Sequence, residues 1–430
     1  MSPEFLRHLT RQLRVRRICS VLLLLLVSGQ FLTERACGDD DVVDPYDALY
    51  DVIMVREDPE GRPYATDEVG PLIYGRSEFP FDDVTFPKLK AALGAFNALS
   101  REQIESYSTV KRALLQRHLW VVFDATIPRG HKPPSQPNRR QMTQQLLVTL
   151  IRRVALTRTE ILSLPDTRAA TIESGGFPLE HDPAARFKPY LPGDLYENES
   201  SWVCLGKVGN PETDHAMIDR YRSTFLQFVR LPGGREATLK YIDKLNEREV
   251  FPVGTEFALI DQAFLISDTG EIVLSPMINS IQLRAYRDVT KTHLQAHPRA
   301  IVCVTEFVMQ PEEIKQGNFA MTALGPKDFR FQTIAAGSGG AVDPLEDRSA
   351  KDARKLTPAL HNCVFCHERS RAGVRSLGDF MFGDRYADKL TFEEGDPAKI
   401  AESVAAAKSK DKTWKTLAGL WSVELGREIP

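Results

Sequence analysis

Long apolar runs are nearly missing from this chain of 430 residues. The one exception, residues 21–27 inside the apolar stretch 18–32, is shorter than the about 20 residues that cross a bilayer. A multi-span membrane protein is excluded. Charge of one sign is not in excess either. Lys and Arg number 55 against 58 Asp and Glu, a net −3, which leaves no global basic field for nucleic acid. Gly and Pro, 27 each, are too few for a fibre or a disordered tail. No Gly-x-Ser-x-Gly, His-Glu-x-x-His or phosphate loop occurs, and no internal repeat. The composition, 42% hydrophobic and 26% charged, is that of a globular chain with room for a sizeable core and two or three domains.

The apolar run has a purpose of its own. Arg7, Arg11, Arg14, Arg16 and Arg17 precede it, so residues 1–36 read as a signal peptide with a basic n-region and a short h-region. The small residues near 27–29 suit ordinary signal peptidase. Alternatively, Ala36-Cys37-Gly38 is similar to the start of a bacterial lipoprotein, in which Cys37 becomes a lipid anchor. Either way the chain is expected in the periplasm or cell envelope. Removing residues 1–36 leaves −7, which disfavours nucleic acid and anionic lipid as partners.

The mature chain divides by composition and period. Residues 39–60 hold nine acidic side chains and one Arg, so 37–60 reads as a solvated acidic tether. Residues 87–164 carry helical spacing. Ser100-Arg-Glu-Gln103 has the pattern of a capping box, and Val110, Leu114, Leu115, Leu119 and Val122 form an amphipathic series. A Pro-rich loop at 128–137 and a helix over 144–156 follow. From Ser201 the period shortens. Residues 257–266 and 271–274 flank Ser267-Asp-Thr-Gly270 as a hairpin. Residues 278–286, 301–308 and 329–334 add strand-like segments, and a short helix falls between Arg235 and Arg248. Asp396-Pro397 reads as a helix start, and Trp414, Leu417, Leu420 and Trp421 share a face of a last helix. The expected fold class is α+β: a helical N-terminal half, a mainly antiparallel β segment, and a small, mostly α C-terminal module. An uncharacterised domain spans 61–340, and the module spans 341–430.

One motif carries chemistry. Residues 361–368 read His-Asn-Cys-Val-Phe-Cys-His-Glu. In Cys363-x-x-Cys366-His367, two thiols three residues apart can meet the two vinyl groups of one haem, and the next imidazole can face the iron. Here the segment resembles a c-type cytochrome. The resemblance implies one covalent haem c per chain, with Cys363 and Cys366 as attachment thiols, His367 as proximal ligand, and a redox partner protein in the envelope. It also implies a distal ligand, for which Met381 in Asp-Phe-Met-Phe-Gly follows the motif. Met309, Met321, His293, His297 and His361 are upstream candidates, and an open iron is the other case. Two other readings use the same residues: a Cys363–Cys366 disulfide, or zinc held by His361, Cys363, Cys366 and His367. Three functions therefore stand side by side. They are an electron carrier, a haem enzyme or sensor with an open, peroxidase-like iron, and a haem-free envelope binding protein.

The remaining polar residues read more plainly. Asp214-His215 is expected in a surface polar cluster rather than as an acid/base pair. His293 and His297, ahead of Pro298, are expected in a loop. His118 is expected on a helix surface. Cys204 and Cys303 sit in apolar, strand-like runs and either bridge or stay buried and inert.

Overall fold

The computed structural model describes residues 44–57, 63–65, 81–127, 136–185, 188–207, 216, 219–243, 251–287, 302–324 and 392–425. Among them no helix is long and apolar enough to cross a membrane. The chain opens with α1 (Pro45–Met54), whose first turn is closed by Asp44 accepting from the Tyr46 amide at 3.0 Å, with Pro45 at the first helical position. Tyr46, Leu49, Tyr50, Ile53 and Met54 are buried on one stripe, while Asp47 and Asp51 point outward. This corrects the expected tether over 37–60 for residues 45–54. Asp47 and Asp51 lie on the wet face of a core helix.

A short antiparallel pair follows, β1 (Val55–Glu57) and β2 (Pro63–Ala65). Then come α2 (Thr85–Asn97), α3 (Arg101–Glu105), α4 (Thr109–Thr126) and α5 (Pro137–Arg153). The capping box at Ser100 and Gln103 is present on α3 as its spacing predicts. Helix α4 departs from the amphipathic expectation, because it is buried on nearly every side from Ala113 to Asp124. Its buried Gln116 is satisfied inside. Gln116 donates to the Ile266 carbonyl at 2.7 Å and accepts from the Ile266 amide at 2.8 Å, pinning the helix to the sheet.

Two short helices, α6 (Arg158–Leu162) and α7 (Thr167–Glu173), lead to β3 (Val203–Lys207) and β4 (Ser223–Arg230). After α8 (Gly234–Asp243) come β5 (Glu256–Ile266), β6 (Ile272–Tyr286), β7 (Val302–Val308), α9 (Pro311–Lys315) and β8 (Thr322–Ala323). The expected hairpin is β5–β6, with Gly270 at φ +84° in its turn, a value that favours glycine. The strand expected at 329–334 lies outside the described residues.

The chain ends in β9 (Phe392–Glu394), α10 (Pro397–Lys410) and α11 (Lys412–Leu425). The main sheet has seven antiparallel strands in the order β8-β7-β6-β5-β4-β3-β9. The α+β class holds. One sheet face offers Leu226, Phe228, Ala258, Ile260, Ile281, Leu283 and Phe307 to the main core, beneath α1, α2, α4, α5, α10 and α11. At one end of the other face, Val203, Val229, Phe257 and Tyr286 pack with Tyr241 and Ile242 of α8.

The described residues beyond 340 are built into this same core, not into a module of their own. Strand β9 closes the sheet edge beside β3, where a Cβ on Gly395 would lie 2.6 Å from the Gly206 amide nitrogen. Only two facing glycines permit that approach. Helix α10 starts at Asp396 and Pro397 as expected, and Trp414, Leu417 and Trp421 of α11 are buried in the main core.

Candidate functional site

The motif residues Cys363, Cys366 and His367, with His361 and Met381, lie outside the described residues, as do Asp214, His215, His293 and His297. The two described methionines among the distal-ligand candidates are packed in the interior. Met309 lies with Val110, Leu114, Met277 and Ile314, and Met321 lies in the main core. His118 is a correction. It is buried on α4, its ring 5.4 Å from that of Tyr50, because α4 has no wet face there. A Cys204–Cys303 bridge is excluded. Strands β3 and β7 are four steps apart in the sheet, about 19 Å at ordinary strand spacing, whereas bridged Cα atoms lie within about 7 Å. Both thiols are buried and unbridged. Burial, helped by Asp396 and Glu394, pushes the Cys204 thiol up to about 12, which leaves it unreactive.

What the fold does assemble is a buried charge junction. Its centre is Asp124, near the C-terminal end of α4. Residues Arg220 and Tyr221, just before β4, both have left-handed backbone, φ +52° and +58°. Such conformations in non-glycine residues are strained and persist where the surroundings fix them. Here they turn two arginines onto one helix end. Arg222 donates to Asp124 Oδ2 at 2.8 Å and to Asp219 Oδ1 at 2.7 Å, and Arg220 donates to the Asp124 carbonyl at 2.5 Å. The third cation comes from the C-terminal helices. Lys408 Nζ lies 2.8 Å from Asp124 Oδ2 and 2.9 Å from the Thr413 hydroxyl, with Asp411 at 4.0 Å. Its ammonium also sits 5.1 Å from the centre of the Trp120 ring, which packs against Trp414 at 5.8 Å.

Burial sets the electrostatics. The side chains of Lys408, Asp124, Asp219 and Arg222 are 0%, 1%, 4% and 8% exposed. Burial alone would raise the Asp124 carboxyl, but Lys408, Arg222 and Arg220 outweigh it and hold the group below the usual carboxylate range. Burial lowers Lys408, and Asp124 only partly restores it. Arg222 is held up by Asp219 and Asp124 against the same penalty.

The junction continues into the sheet at Asp261. Register shifts fall on both sides of Gln262, and the Arg222 carbonyl accepts from the Phe264 amide at 2.9 Å across this irregularity. Asp261 accepts from Asn279 Nδ2 at 2.8 Å and is hydrogen-bonded by Ser223. Burial pushes its carboxyl up to about 6; Arg117 opposes this and Asp219 adds to it. A second buried cluster lies at the other end of β4 and β5. Glu256 accepts from Arg230 at 2.7 Å and from the Tyr190 hydroxyl at 2.7 Å, and the guanidinium sits 4.8 Å from the Trp202 ring.

These groups can hold charge and exchange a proton. Among the described residues, no three His, Cys, Asp or Glu side chains come together to hold a metal. No motif pointed to the junction, because Asp124 and Lys408 are 284 positions apart. One signal existed. Lys408 continues the buried series Ile400, Ala401 and Val404 on α10, a charge at a core position. No family model, curated protein or solved structure matches the chain.

Proposed function

We propose that the chain is an exported mono-haem c-type protein that transfers electrons at the bacterial cell envelope. The observation behind this reading is Cys363-Val-Phe-Cys366-His367 in one chain with an Arg-rich start and a short apolar run that read as an export signal. The donor set suits haem c: two thiols for thioether links, and the adjacent His367 as proximal ligand. Attachment of this kind takes place outside the cytoplasmic membrane, so leader and motif fit each other. Bound there, the haem supplies one-electron chemistry to a redox partner protein.

For the distal position Met381 is the leading residue. Met309 and Met321 already serve as core packing. Phe380 and Phe382 flank Met381 with apolar rings suited to excluding water, and Gly383 permits a tight turn beside it. Localisation is periplasmic or envelope-bound, with Cys37 as the anchor where lipidation occurs.

Covalent attachment is the test. Denatured mature protein should keep its haem stain through acid-acetone extraction and carry one haem mass per chain. The Cys363→Ser/Cys366→Ser double variant should lose both. Covalent haem persisting in that variant overturns the reading. In the holoprotein, Met381→Ala should admit carbon monoxide to the reduced iron; an unchanged spectrum would move the distal ligand elsewhere.

A further inference from the structure

The main sheet is covered on both faces, and the helices of the main core account for one of the two covers. Leu226, Ile260, Ile281 and Phe307 share a row on the first face, beneath those helices. The next row along the same strands, Gln227, Leu259, Gln282 and Glu306, faces the other way. An antiparallel sheet with one face on a core commonly leaves its other face wet. Here it does not. On β6 and β7, Gln282, Arg284, Glu306 and Val308 of the second face are 8%, 5%, 3% and 0% exposed. Helix α8 packs on β3, β4 and β9, toward the opposite edge. The buried apolar cluster that holds Val308 has, among the described residues, Leu324 as its other member.

The connectivity picks out the part of the chain that crosses there. Strands β8 and β9 are the two edges of the sheet. Six strand spacings, about 29 Å, separate them, a distance that roughly nine extended residues span. Residues 325–391 make this connection, far more chain than the crossing needs. The first face is already taken by the helices of the main core. The connection 287–301 between β6 and β7, by contrast, joins neighbouring strands and has no sheet to cross. We propose that the β6–β7 half of the second sheet face is the seat of residues 325–391, the segment that carries Cys363, Cys366 and His367.

The seat is polar. Glu306 stands opposite Gln282, and Arg284 donates to the Gln282 side chain. Buried groups of this kind are retained where they are hydrogen-bonded, so the seat selects a polar occupant over an apolar helix. Glu368, Arg369, Arg371 and Arg375, just after the motif, offer charge of both signs to Arg284 and Glu306. The placement does not rest on the haem reading. Joined to it, the sheet becomes the platform that carries the motif, and the redox partner meets the side turned away from the strands.

Photo-crosslinking of the mature full chain tests the seat. A diazirine-bearing amino acid replaces Glu306 in one variant and Ser280 in another, both on this face. Ser280 is half-buried, so its variant serves where the Glu306 variant fails to fold. After irradiation, tryptic mass spectrometry should show each position joined mainly to peptides of 325–391 in the same chain. Main products beyond the neighbouring strands from any other part of the chain, products between two copies, or no product from folded protein overturn the proposal. Haem stain read on the same samples keeps a failure of the haem reading distinct from a failure of the seat.

Discussion

The two buried ionic clusters of this protein use the same kinds of side chain and are built in opposite ways. Arg230 and Glu256 are cross-strand partners of β4 and β5, so ordinary strand pairing brings them together. Their side chains keep 18% and 10% exposure. Asp124 instead gathers Arg222 from 98 positions away and Lys408 from 284, and the pairs are almost dry. A register pair follows from the sheet. A three-element junction must be specified by tertiary packing, and a deletion at its centre leaves buried charges under-compensated.

That difference predicts an order of damage. Asp124→Ala should be the most severe, because it leaves Arg222 and Lys408 facing each other in the interior without their shared anion. The expected loss is about 3–5 kcal/mol, read from chemical denaturation at neutral pH. Its acid limb should change as well. The Asp124 carboxyl is depressed when folded, so its contribution is present above the unfolded value of 3.8 and lost as pH falls through the lower folded value. The variant should therefore lose less stability on acidification than the parent. A loss under about 1 kcal/mol would make the junction no stronger than a surface pair.

Lys408→Met comes next. Methionine keeps an unbranched stem beside the Trp120 ring, and Asp124 retains Arg222. Removing a disfavoured buried cation also removes its desolvation penalty. The expected loss is about 1–2 kcal/mol, with a changed emission from Trp120 and Trp414 at the vacated corner. A loss as large as that of Asp124→Ala would mean that Lys408, not Arg222, compensates the carboxylate.

The same contrast separates what was legible in the sequence from what was not. The β5–β6 hairpin, the capping box at Ser100 and the Asp396-Pro397 start were readable because each is decided within a few residues. Helix α1 was hidden by its composition. Asp47 and Asp51 made it look like a tether, although Tyr46, Leu49, Tyr50 and Ile53 already had core spacing. Helix α4 was misread because His118 was placed on a wet face, whereas Gln116, His118 and Asp124 are all buried against distant parts of the chain. The described residues past 340 joined the main core because Trp414, Leu417 and Trp421 are an apolar face that fits either a small module or a large one. Amphipathicity says that a face is covered, not by what. The junction itself had no local spacing to find.

The mildest break belongs to the register cluster. Tyr190→Phe deletes one hydroxyl that donates to Glu256 Oε2 at 2.7 Å and leaves Arg230 on Oε1. Burial and the Glu256 charge together hold the Tyr190 hydroxyl well above its usual value, so it stays a neutral donor across the physiological range. The titrating neighbour is His181, whose ring lies 5.2 Å from that of Tyr190 and which burial holds below its usual value. The residual exposure of Glu256 lets water take over part of the lost bond. The expected loss is about 1 kcal/mol, the net value of one hydrogen bond to a charged acceptor that solvent can partly replace. It should be the same at pH 7 and pH 8, where His181 is neutral. A loss that grew across that range would show that this cluster, too, is linked to a titrating group, and the division between a fixed pair and a proton-linked junction would fail at its quieter end.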